Sequence, residues 1–127
     1  MRKILLIDDE EVIRDMMGEI LRHLGFHTVV SKNGDEALYK YEESLKSGRG
    51  FDSVFIDVIS RDGNNERATM DSLLKMDPGA KIIISNSSIP HPVLIEKDKG
   101  KIAMVPKPYT VENLKSTLEK IFQDGAN

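Results

Sequence analysis

Four short runs in this chain each end in side chains that could do phosphoryl chemistry. Asp8 and Asp9 close the run Lys3-Ile4-Leu5-Leu6-Ile7. Asp57 closes Asp52-Ser53-Val54-Phe55-Ile56. Ser85 follows Lys81-Ile82-Ile83-Ile84, and Lys107-Pro108 follows soon after Lys101-Ile102-Ala103-Met104-Val105. An open parallel α/β sheet brings the C-terminal ends of its strands to one edge, where ligands bind. Carboxylates, an amine and a hydroxyl gathered there suit a divalent cation and a phosphoryl group.

The chemistry follows from the residue types. Mg²⁺ takes oxygen ligands in near-octahedral geometry, commonly one or two carboxylates with waters and phosphate oxygens. Asp9 and Asp57 could ligate directly, Asp8 could hold a coordinated water, and the backbone carbonyl of Ile59, just past Asp57, could contribute. Mn²⁺ could fill the same site. Clustered carboxylates repel one another until a cation compensates them. A carboxylate can also attack phosphorus and form an aspartyl-phosphate. The charge on the phosphoryl oxygens then needs cations and donors already in place. Lys107 supplies the amine, and Ser85 supplies a hydroxyl.

These residues need strands to position them, and the pattern provides strands. Residues 3–7 are continuously apolar up to the aspartates, as in a strand buried on both faces. Val12, Ile13, Met16, Met17, Ile20, Leu21 and Leu24 then repeat at helical spacing, with Gly25 at a left-handed C-cap. Residues 26–30 are β-prone. Asn33 offers an N-cap with Glu36 three residues later, and Ala37, Leu38, Tyr41 and Leu45 line a second helix. Residues 52–56 form the third strand, 58–66 a polar loop, and 66–76 a weaker helix ended by Asp77-Pro78-Gly79. Residues 81–84 and 101–105 form the fourth and fifth strands. A short helix is expected over roughly 92–98. Thr110 caps a last helix whose stripe is Val111, Leu114, Leu118, Ile121 and Phe122. Five alternations of strand and helix, with right-handed crossovers, predict an α/β fold with helices on both faces of a parallel sheet.

Composition agrees. The 127 residues make one domain, and a chain this long buries about seventy per cent of its unfolded surface without staples. The absence of cysteine removes disulfides and thiolate sites and is compatible with a reducing cytosol. A net charge of −3 with no basic tract argues against nucleic-acid binding. The longest apolar runs are too short to span a bilayer, and the N-terminal strand is too short and too acidic for a signal peptide. A cytoplasmic protein that engages neither membrane nor nucleic acid is expected.

With these residues in view, the chain resembles the receiver domain of two-component response regulators. The carrying segments are Leu6-Ile7-Asp8-Asp9-Glu10, Val54-Phe55-Ile56-Asp57, Ile83-Ile84-Ser85 and Val105-Pro106-Lys107-Pro108. The resemblance runs from Lys3 to Phe122. It implies a three-layer flavodoxin-like doubly wound sandwich, a five-stranded parallel sheet in the order 2-1-3-4-5, and a receiver domain over 1–123 with a frayed tail at 124–127. It implies that Asp57 is the phosphoacceptor, that Asp8 and Asp9 are the metal-binding pair, and that Ser85 is the switch hydroxyl. It also pairs Lys107 with the phosphate, before a cis proline. The implied phosphodonor is a sensor histidine kinase or phosphotransfer protein, and the downstream partner is left unidentified. Such a domain catalyses only its own phosphotransfer and dephosphorylation.

The chain departs from that pattern in places. The proline usual four residues after the acceptor is Arg61, and the glycine about eight after is Asn65, which tolerates left-handed φ. The aromatic usual three residues before Lys107 is Met104. The segment from Asn86 to Pro92, with the spacing near Asp77-Pro78, resembles receivers attached to hybrid sensor kinases. These departures motivate a rival reading, a receiver-like interaction module that never uses phosphate. A phosphatase with an aspartyl nucleophile is a third, but Asp62 lies at the wrong offset for its general acid. Taken singly, each residue has a plainer role: Asp8-Asp9 as a strand stop, Lys107 as a solvated lysine, Ser85 as a loop serine, and the methionines as core filler. His23, His27 and His91 show no metal-ligand spacing.

Overall fold

Strands apolar at every position have no wet face, so both faces must be covered. The computed structural model, which describes residues 1–57, 64–97 and 100–123, meets that demand. Its elements are β1 (Lys3–Ile7), α1 (Glu11–His23), β2 (His27–Ser31), α2 (Gly34–Lys46), β3 (Ser53–Asp57), α3 (Asn64–Met76), β4 (Lys81–Asn86), β5 (Val93–Lys97), β6 (Gly100–Pro106) and α4 (Val111–Phe122). The sheet order is β2-β1-β3-β4-β6-β5. β1, β2, β3, β4 and β6 run parallel. They make up the expected five strands in the expected order, between two helical layers.

Alternate residues feed two cores. Ile4, Leu6, Phe55 and Ile83 face α1 and α4, meeting Met17, Leu21, Leu114 and Leu118. Leu5, Ile7, Val54 and Ile82 face α2 and α3, meeting Ala37, Tyr41 and Leu73. The caps work as their residue types dictate. Asn33 accepts from the Glu36 N–H at 2.8 Å, and Thr110 and Asn113 form a reciprocal capping box. Gly25 sits at φ 99°, the left-handed position that favours glycine.

Two expectations are corrected. The segment over 92–98 is not a helix: Val93–Lys97 is a strand, paired antiparallel with β6. The described residues therefore hold four helices rather than five. Pro92 donates no N–H, and a helix this short cannot repay its own nucleation. Val93 and Ile95 are β-branched, and the outer edge of β6 offers them a full ladder of partners. Asn65 was expected to take a left-handed conformation. It lies instead in the first turn of α3, which starts two residues earlier than its apolar pattern because Asn64 and Asn65 belong to the helix. The expected tail, 124–127, lies outside the described residues. Among the described residues, no helix is long and apolar enough to cross a membrane.

The two helices on the β1–β3 side approach closely where α2 begins. A Cβ added at Gly34 would collide with Thr69 Oγ1. That oxygen bonds the Asn65 carbonyl at 3.0 Å, and a β-branched side chain has few other rotamers in a helix. Gly34→Ala should cost roughly 1–3 kcal/mol in chemical denaturation. Most of that cost should vanish in a Thr69→Ala background; an equal cost in both backgrounds would contradict this packing.

Candidate phosphoacceptor site

Strand register assembles the site. Ile7 pairs with Ile56, and Asp57 pairs with Ser85. Asn86 pairs with Pro106, so Lys107 emerges one residue beyond β6. The Lys107 N–H donates to the Asn86 carbonyl at 3.1 Å, which fixes the root of its side chain, and the Lys107–Pro108 peptide bond is cis. Asp8 leaves β1 with its N–H on the Ser31 carbonyl at 3.1 Å.

The side chains converge on one oxygen. The Ser85 hydroxyl donates to Asp57 Oδ1 at 2.6 Å, and Lys107 Nζ lies 2.5 Å from the same atom. Asp57 is 6% exposed, Ser85 0% and Asp8 1%. Asp8 accepts the Glu10 N–H on Oδ1 at 2.9 Å, and Arg14 Nη1 holds its carbonyl at 3.2 Å. Asp8 Oδ2 has no hydrogen-bond partner despite its burial. Leaving such an acceptor orphaned is costly.

The electrostatics match that crowding. Burial, foremost, pushes Asp8 from an ordinary 3.8 up to about 7. The Glu10 N–H and the Lys107 ammonium oppose the shift, while the adjacent Asp57 carboxylate adds to it. An orphaned, proton-hungry carboxylate oxygen beside a second carboxylate fits a hard cation. The fit needs one movement. Among the described residues, no three ligating side chains converge closely enough to hold an ion as they stand. Asp9 is exposed, although it lines the same cavity of about 430 Å³ as Asp8, Asp57 and Asn65. Asp9 would have to turn inward. Ile59, Arg61 and Asp62 lie outside the described residues.

Of the expected side chains, then, Asp8, Asp57, Ser85 and Lys107 are brought together, and Asp9 stands at the rim. His23, His27 and His91 are all exposed. Tyr109 carries no motif of its own. Its single signal in the sequence is its place, an aromatic two residues after Lys107, and its ring packs on Phe55.

Asp8 makes the stability of the metal-free fold depend on pH. The fold keeps its proton up to about 7, whereas the unfolded chain loses it near 3.8. The contribution is therefore complete below the unfolded value and drains away as pH rises through 7. Measured against Asp8→Asn, which stays neutral, the wild type should lose on the order of a few kcal/mol between about pH 4 and pH 8. A pH-independent difference between the two proteins would contradict this.

Comparison with known proteins identifies the fold and its relatives. The chemotaxis protein CheY of Thermotoga maritima is 30% identical over 122 residues, covering 94% of this chain and 97% of that protein. The response regulator TrrA of Thermotoga maritima, solved in complex with Mg²⁺ and BeF, is 26% identical with a TM-score of 0.72, covering 96% of this chain and 100% of the other. TrrA has also been solved in complex with the histidine kinase ThkA, at a TM-score of 0.74. The receiver domain of the hybrid histidine kinase CckA matches at 21% identity and a TM-score of 0.73, over 95% of this chain and 99% of its own, a likeness of fold alone. No family model matches the chain. A sequence likeness running almost the full length of both proteins is kinship, and the chain belongs to the CheY-like receiver domains of response regulators.

Proposed function

We propose that the chain is a phosphorylation-controlled switch of two-component signalling. Asp57 accepts a phosphoryl group from a phosphohistidine on a sensor histidine kinase or phosphotransfer protein, and the distal surface responds. The observation that carries this reading is the convergence of Ser85 and Lys107 on one buried Asp57 oxygen, with the orphaned Asp8 carboxylate alongside. The complexes of TrrA with Mg²⁺ and BeF, and with a kinase, support the metal and the class of partner.

Each residue has work that its position allows. An Asp57 carboxylate oxygen attacks phosphorus; the new O–P bond forms as the N–P bond to the donor imidazole breaks. Lys107 and Ser85 both hold Oδ1, which orients the carboxylate for that attack. Lys107 then moves its ammonium onto the phosphoryl oxygens, as does the Ser85 hydroxyl. Both donors already stand beside Asp57 before the reaction, so a short movement brings them to where the charge develops. Asp8, Asp9, Asp57 and the Ile59 carbonyl are the groups that would hold Mg²⁺ or Mn²⁺. The cation supplies neutralisation of the carboxylates and of the incoming phosphoryl charge. The protein catalyses only its own phosphotransfer and dephosphorylation, and acts in the cytoplasm, in keeping with a chain free of cysteine.

Acetyl phosphate with Mg²⁺ should add one acid-labile phosphoryl group by intact mass, and Asp57→Asn should take up none. An unchanged wild-type mass beside a competent control receiver would overturn the reading and favour a phosphate-independent interaction module. In Lys107→Ala, labelling should persist while the amide chemical-shift response to labelling is lost. A full response in that variant would remove Lys107 from the switch.

A further inference from the structure

A second cavity, of about 620 Å³, opens from Asp57 and Lys107 on the opposite face of the sheet. Its walls are apolar, with Ile13, Met16 and Met17 from α1 and Val111 and Leu114 from α4. Tyr109 stands where the acidic edge meets this groove. Its ring packs tilted against Phe55, with centroids 6.2 Å apart. Its hydroxyl donates to Met17 Sδ at 3.6 Å.

That hydrogen bond is a poor use of a phenol. A thioether sulfur is a weak acceptor, and the ring alone would satisfy the packing against Phe55. Yet stronger groups are near. Burial, and then the charges of Asp57 and Asp8, push the Tyr109 pKa up, while the adjacent Ser85 hydroxyl pulls it down. A good donor is thus parked on a weak acceptor beside the atoms that would receive a phosphoryl group.

We propose that Tyr109 reads the state of Asp57: its hydroxyl leaves the Met17 sulfur for the phosphoryl group, and the α1 wall of the groove is released. This rests on the phosphoacceptor reading above. Phosphoryl oxygens are charged acceptors, and hydrogen bonds to them are roughly twice as strong as neutral ones. The exchange of partners therefore runs one way when phosphate is present and reverses when it is gone. Met104, where an aromatic is usual, lies between Ile84 and Val93 in register. It alternates with Ala103 and Val105 and so faces away from this groove. Tyr109 places an aromatic donor on the other face, by a route that does not use that position.

The chain contains three tyrosines and no tryptophan, so tyrosine labelled with ¹³C at Cζ gives three resolvable signals. Tyr39 is exposed, and Tyr41 bonds Asp77 at 2.6 Å, so each serves as an internal control. On titration with Mg²⁺ and beryllofluoride, the Tyr109 signal should shift in step with the ¹⁹F signal of bound fluoride, while the Tyr39 and Tyr41 signals stay in place. Bound fluoride with an unmoved Tyr109 signal overturns this inference and leaves the phosphoacceptor reading standing. No bound fluoride at all overturns both. In Tyr109→Phe, which keeps the ring, the methyl signals of Met16 and Met17 should lose most of their response to bound beryllofluoride. An undiminished response overturns the proposal.

Discussion

The structure turns on how two carboxylates, Asp8 and Asp57, are kept inside a protein at less than a tenth exposure each. Burial alone would force such groups to neutralise. Asp57 is compensated by an ammonium and a hydroxyl on a single oxygen. Asp8 is compensated only in part, by one backbone N–H and the nearby Lys107 ammonium, and its carboxyl is displaced upward accordingly. The site is therefore strained electrostatically in one place and satisfied in another. That asymmetry is what a cation and an arriving anion can act on. A fully compensated pair would have no reason to rearrange, and a fully exposed pair would have no energy at stake.

The scaffold makes the crowding possible because it is stiff where the charges meet. Asp57 and Ser85 are opposed in a parallel ladder, so their separation is set by hydrogen-bonded backbone on both sides. Lys107 is tied to the Asn86 carbonyl at the next rung. The strands themselves are fixed by two cores that share one sheet, with Phe55 buried toward α1 and α4, and Val54 and Ile56 toward α2 and α3. Shifting any one strand by a residue would exchange its two faces and break both cores. Register is thus held by apolar burial far larger than the cost of the charges, and the chemistry is carried by it.

This division explains what the sequence makes legible. Continuous apolar runs ending in Asp8, Asp57, Ser85 and Lys107 locate the parallel strands and the site together, because one spacing serves both. Caps at Asn33 and Thr110 are legible because they are local. β5 is not legible, because its assignment is decided by an edge of β6 that local pattern cannot see; without that partner, Val93-Leu94-Ile95 could as well begin a helix. Asn65 misleads for a related reason: its tolerance of left-handed φ is intrinsic, but its place in α3 is set by the helix that follows. Asp9 is legible as a ligand type but not in orientation, since an exposed side chain at the rim is not held by its neighbours. Tyr109 is hidden because its role comes from contacts with Met17 and Phe55, both distant in sequence.

Two cavities touch Asp57, and they differ in kind. One lies toward α2 and α3, with Asp9, Asn33 and Asn65 in its lining, and its polar walls suit a hydrated ion and a phosphoryl group. The other lies toward α1 and α4, and its walls are mostly methionine, isoleucine, valine and leucine, with Glu10, Ser87, Lys107 and Thr110 around them. A single carboxylate thus separates a wet face from a greasy one. Beyond β4 the sheet edge is closed by β5, paired antiparallel with β6, so that edge is tied by backbone hydrogen bonds. The α1–α4 side meets Asp57 through side chains instead: methionine is an adaptable packer, and the exchange of partners proposed for Tyr109 leaves the backbone ladder unbroken. On the reading proposed for Tyr109, a change of charge at Asp57 that enters from the polar cavity is passed to the apolar one by an exchange of side-chain partners, with the sheet left intact.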